Sequence, residues 1–144
     1  MATTRARSRE VELGRPLDVW RTLCPLRHGR GDPAFRILDG SVWRATRTPD
    51  GPGTQRLWVE GRWLRVEAWG AGADWLIDRA AVLVGEGRPG WETPPHHPLL
   101  RELGRRHPGL RIPRSEAVFE AVLGTVLEQR VAVLEAARSW RALL

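Results

Sequence analysis

Glu128, Gln129 and Arg130 follow directly on a segment in which Val118, Val122 and Val126 recur every four residues beside Phe119, Leu123 and Leu127. The spacing predicts a helix with wide apolar rows, which read as core, and a polar end. Glutamine offers a donor and an acceptor and arginine a planar cation, so both suit a base edge or a gap in a base stack. By composition alone the same three residues also read as a solvated helix end. Arg111 and Arg114, with Arg101, Arg105 and Arg106, gather positive charge around the loop before the helix. Ser115 is placed to cap the helix, with Glu116 in its first turn.

Other candidate chemistry is thinner. His96 and His97 stand between prolines, but no Cys or further His lies at ligand spacing, so they read as a structural loop, as does His107 before Pro108. Asp74 and Asp78, four apart, have no paired nucleophile or phosphate-binding loop and read as a solvated helix face. Trp63 and Trp69 share one strand face and could stack a base, although a sheet-to-helix core accounts for most of the eight tryptophans. Gly-rich phosphate loops, GxSxG, HExxH and cysteine-based zinc patterns are all missing. No catalytic residue, metal or organic cofactor is therefore assigned from the residues themselves.

The elements that must position these residues follow from periodicity. Residues 1–9 read as a frayed tail, residues 11–13 as a short strand, and residues 16–23 as a short helix opened by Pro16. Residues 35–38, 42–47, 55–60 and 63–69 alternate with period two. Asp39-Gly40 and Gly61-Arg62 make tight hairpin turns, with a longer turn at residues 48–53. In the last strand Leu64, Val66 and Ala68 share one face, and Trp63, Arg65, Glu67 and Trp69 the other. Residues 73–84 read as a covering helix with Trp75, Leu76, Ala80 and Leu83 toward the sheet. A Gly- and Pro-rich linker over residues 85–98 precedes an all-helical remainder. The expected fold class is α+β: a small antiparallel sheet domain with covering helices over residues 10–88, then the first helices of an incomplete all-α domain over residues 96–144.

All 23 basic residues are arginine, which a GC-rich coding bias explains, but the net charge of +6 remains and attracts polyanions. By region the charge is +5 over residues 1–47, −2 over 48–92 and +3 over 93–144. The single cysteine, Cys24, excludes an intramolecular disulfide and fits a reducing compartment. With neither a secretory signal nor an apolar run of spanning length, the expectation is a cytoplasmic protein with no membrane partner.

Residues 99–131 resemble the helix-hairpin-helix family of 3-methyladenine DNA glycosylases of the bacterial alkylation-repair type. The resemblance rests on Leu103-Gly104, on Pro108-Gly109-Leu110-Arg111-Ile112-Pro113, on Phe119-Glu120 and on Leu127-Glu128-Gln129-Arg130-Val131, in matching order and spacing. It implies base excision repair: damaged double-stranded DNA as partner, a flipped base, cleavage of its glycosidic bond and no cofactor. It implies DNA-binding roles for Gln129, Arg130, Arg111 and Arg114. Arg130 occupies the position of the residue that fills the vacated space, where the family often has an apolar wedge. The family's hairpin and its catalytic Asp have no counterpart here. The chain is therefore expected to be the N-terminal portion of such an enzyme, with a C-terminal helical portion missing and no hydrolytic activity alone. The alternative is a stand-alone DNA-binding or partner-docking module. The apolar end, Trp140-Arg141-Ala142-Leu143-Leu144, favours the portion reading, since an uncovered apolar face costs about 25 cal/mol per Å².

Overall fold

The computed structural model describes residues 6–87 and 96–144. Five antiparallel strands form one sheet in the order β1-β5-β4-β3-β2. They are β1 (Arg7–Glu12), β2 (Phe35–Leu38), β3 (Ser41–Thr48), β4 (Gly51–Glu60) and β5 (Trp63–Gly70). The strands β2 to β5 are a meander, and β1 returns to the far edge with Arg7 opposite Ala68 and Glu12 opposite Trp63. Gly61, at a positive φ of 60°, opens the two-residue turn joining β4 to β5. The α+β class is as the periodicity predicts.

Helices α1 (Val19–Leu23) and α2 (Ala73–Leu83) cover one sheet face. Asp18 caps α1, its carboxylate accepting from the N–H of Arg21 at 2.9 Å. Val19 and Leu23 of α1, and Ala80 and Leu83 of α2, meet Val42, Leu57, Leu64 and Val66 from the sheet in one core. Leu76 and Ala73 close over Ala68 in a smaller cluster. Residues one step out of phase with that core point away from the helices.

The structure corrects two expectations here. Residues 7–9 are strand, not tail: Arg7 pairs with Asp74 at 2.9 Å, and Arg9 donates to the Ile77 carbonyl at 3.4 Å and reaches Asp78 at 3.5 Å. The two aspartates of α2 are thus exposed but paired with the edge strand. The tryptophans are mostly not core either, since among the described ones only Trp140 is buried. On the outer sheet face Trp43 stacks on Trp69 at 5.4 Å, and the Arg56 guanidinium lies over Trp58 and Trp43 at 4.5 and 5.5 Å. Arg56 also faces Glu67 at 3.6 Å. Cross-strand pairs of this sort stabilise an open sheet face without burying it.

The remaining helices are α3 (Pro98–Arg106), α4 (Val118–Leu127) and α5 (Val133–Leu143). His97 is the N-cap of α3, its Nδ1 accepting from the Leu99 N–H at 3.2 Å. The residue before proline is pushed to extended backbone, which suits a cap. Helix α4 begins at Val118, later than its capping serine predicts: Glu116 sits at φ 53°, outside the helix, and the Ser115 hydroxyl accepts from the Ala117 N–H. The apolar rows of α4 are present but are not core. Val118 is 73% exposed and Phe119 80%, with Val122 and Val126 more than half exposed. Leu123 and Leu127 of the second row are half-buried. None of the helices of the described residues is long and apolar enough to cross a membrane.

Candidate nucleic-acid interface

Gln129 and Arg130 lie in the turn between α4 and α5, both exposed. Glu128 is the C-cap of α4, its N–H bonded to the Gly124 carbonyl, and the Gln129 N–H bonds the Val126 carbonyl at 3.2 Å. Arg130 then takes a left-handed conformation, φ 58°, which reverses the chain into α5. Such a φ is uncommon for arginine and marks a residue whose backbone its surroundings dictate. Helix α5 starts at the same turn with no side-chain cap on its first N–H groups.

Polar ties hold this turn to the sheet. Arg44 of β3, its side chain 2% exposed, bonds Glu120 of α4 at 2.7 Å, and the Thr46 hydroxyl donates to the same carboxylate. At the other end of α4, the His28 Nδ1 meets Glu128 at 3.1 Å. Trp140 of α5 donates its indole N–H to Asp32 at 3.1 Å.

Arg111, one of the residues expected to bind DNA, is placed in the interior. Its guanidinium bonds Glu86 at 2.6 Å and the Pro16 carbonyl at 3.2 Å, and also donates to the Arg15 carbonyl. These acceptors use its donors inside the chain. The loop it belongs to is a latch: the Asp18 N–H donates to the Gly109 carbonyl at 2.8 Å, and the Arg111 N–H donates to the Thr22 hydroxyl at 3.2 Å. The Arg114 N–H then donates to the Leu83 carbonyl at 3.0 Å. A Cβ at position 109 would come within 2.6 Å of the Asp18 nitrogen, so the loop can approach α1 only with glycine there. Gly109→Ala is expected to cost about 1–3 kcal/mol, read as a lowered urea midpoint at unchanged m-value.

Of the cluster that composition singled out, Arg105 and Arg106 both pair with Glu102, at 2.6 and 2.7 Å. Arg101 and Arg114 are exposed and, like Arg130, in no ion pair among the described residues. The polyanion-facing charge is thus smaller than the count of arginines suggests. Among the described residues no three His, Cys, Asp or Glu side chains converge in a way that could hold a metal ion. Sequence reasoning missed His28, Asp32, Arg44 and Trp140, whose distant partners lie 76 to 108 residues away, so no local pattern marks them.

Among solved structures, a 3-methyladenine DNA glycosylase from Archaeoglobus fulgidus superposes with a TM-score of 0.68 at 19% identity. The match covers 90% of this chain and 47% of that one. The fold is that of a DNA glycosylase's N-terminal portion. The chain spans about half the length of the glycosylase it matches. No protein-family model matches the chain, and no curated protein does. In this chain residues 108–114 build the latch and residues 127–131 the α4–α5 turn.

Proposed function

We propose that this chain is the N-terminal portion of an alkylated-base DNA glycosylase and presents the α4–α5 turn to damaged duplex DNA. The observation that carries the reading is the superposition over nine-tenths of the chain on under half of a glycosylase. The sheet unit of residues 10–88 is the N-terminal domain, and residues 96–144 open the helical domain. Arg130 enters the space a flipped base vacates, where its planar cation stacks and bonds the orphaned partner. Gln129 lies beside it at the base edges, and Arg114 meets a phosphate.

A docking role in the same system is favoured by the exposed rows of α4 with Val133 and Leu134 of α5, each more than three-quarters exposed. An uncovered face of that kind marks an interaction surface. We place the remaining helices of a glycosylase against it.

The test is binding to a duplex with one abasic site against the same intact duplex. The wild-type chain should prefer the abasic duplex, and Arg130→Ala should reduce that preference about tenfold, the worth of one good base contact. Arg114→Ala should weaken both duplexes alike and flatten the salt dependence by about one counterion. Equal binding of both duplexes by the wild-type chain would refute the reading.

A further inference from the structure

Residues 28–32 form a saddle across the end of α4 and the body of α5. The His28 ring is the centre of it. One edge rests on Gly124, where a Cβ would overlap the ring's Cε1, so glycine lets the ring sit this close to α4. One face lies against Trp140, with ring centroids 4.0 Å apart. Nδ1 meets the Glu128 carboxylate at 3.1 Å. Asp32 ties the saddle together. Asp32 is buried and accepts from the N–H groups of His28 at 2.8 Å and Ala34 at 2.9 Å, and from the Trp140 indole. Gly29 lies against Ala137 of α5, its φ of 81° carrying the saddle over that helix.

We propose that His28 is a positioning residue for the DNA-facing turn: wedged between Gly124 and Trp140 and bonded to Glu128, it fixes the turn that carries Gln129 and Arg130. This rests on the reading of that turn as the DNA contact. The geometry gives the reason. Glu128 ends α4, and Arg130, two residues on, adopts a backbone that arginine seldom takes unless held. Val118, Phe119, Val122 and Val126 of α4 are exposed, and near the turn the His28–Glu128 bond and the Gly124 contact hold its end. A carboxylate bonded by an imidazole is directional, and one bond of this kind changes a local equilibrium by about tenfold.

Two measurements on the full 144-residue chain test this. Amide hydrogen exchange reads the turn without DNA. In His28→Ala, amides of residues 127–132 should exchange about tenfold faster while those of β3 to β5 are unchanged. His28→Asn, whose amide can still donate to Glu128, should restore most of the protection. Glu128→Ala alters an exposed side chain and should repeat the loosening with the interior intact, which covers the case of His28→Ala failing to fold. Unchanged exchange in Glu128→Ala, and in His28→Ala if that variant folds, overturns the proposal whatever happens with DNA. The second measurement is the abasic-to-intact affinity ratio. It should fall about tenfold in His28→Ala and Glu128→Ala and recover in His28→Asn, with intact-duplex affinity moved by less than about twofold. A ratio that survives a loosened turn overturns the DNA consequence. A wild-type chain without any abasic preference overturns the functional reading instead, and exchange then decides the positioning role by itself.

Discussion

Arg111→Ala should destabilise the chain by about 3–5 kcal/mol, the range for removing one member of a buried ion pair. The Arg111 side chain is 2% exposed, and its guanidinium ties Glu86 to the carbonyls of Arg15 and Pro16. Truncation leaves the Glu86 carboxylate, itself mostly buried, facing carbonyls that have lost their donor. Arg111→Lys should recover little, because an ammonium cannot span the same fork of acceptors. Urea titration reads both, and Arg114→Ala, on an exposed side chain of the same loop, should be within about 0.5 kcal/mol of wild type. If Arg111→Ala were as mild as Arg114→Ala, the latch would not be what joins the helical segment to the sheet.

The same pair sets a pH dependence. Burial by itself would raise the Glu86 carboxyl. The Arg111 hydrogen bond, the N–H groups of Gly14 and Gly87 and the Arg111 charge outweigh burial and hold it below the ordinary glutamate value. A carboxyl that binds its proton less readily when folded stabilises the fold above its unfolded pKa. That contribution is lost as pH falls through the lower, folded value. The stability gap between wild type and Arg111→Ala should therefore be full at neutral pH and narrow in acid, measured by urea midpoints across the acid range. A gap that widens in acid would contradict the pairing.

Arg44→Ala is the second large effect. Arg44 is buried on the helix-facing side of β3 and bonds Glu120, whose side chain is one-quarter exposed. Because water can reach Glu120 once Arg44 is gone, the loss should fall at the low end of the buried-pair range, about 3 kcal/mol. It should also be regional, with amides of α4 losing protection ahead of the strands. The double substitution Arg44→Met with Glu120→Leu should recover much of the loss, since neither charge is then left buried and unpaired. A double variant no better than the single would show that the pair is not what docks α4.

The strands were legible because their cause is local. Alternation at Leu64, Val66 and Ala68, with Gly61 at a two-residue turn, defines a half-buried hairpin without reference to anything distant. β1 was not, since Arg7, Ser8, Arg9 and Glu10 carry no apolar alternation, and the acids that hold the strand lie on α2, 67 to 69 residues on. The tryptophans misled for a related reason. Their size suggests a core, but their phase in each strand is that of the outer face. Periodicity likewise identified the rows of α4 but could not say what covers them. At the candidate interface, Gln129 and Arg130 were found from their place after those rows. The burial of Arg111 was not legible, because a buried and a phosphate-binding arginine look alike in sequence and its partners, Glu86 and the Arg15 and Pro16 carbonyls, lie 25 to 96 residues upstream. His28 gave no signal, because its role exists only once Gly124, Glu128 and Trp140 surround it.

Whether residue 130 enters the duplex at a vacated base is the question on which the account stands. The chain has a single cysteine, Cys24, so Arg130→Cys in a Cys24→Ser background gives one reactive thiol. A duplex carrying a thiol-tethered base opposite an abasic site then reports directly where the turn sits, by disulfide trapping under equilibrating redox conditions. Efficient trapping is expected opposite the abasic site, with little when the tether is moved half a helical turn away or when the thiol is placed at Arg101 on α3 instead. Trapping that is equal at every tether position, or stronger from position 101, would contradict it.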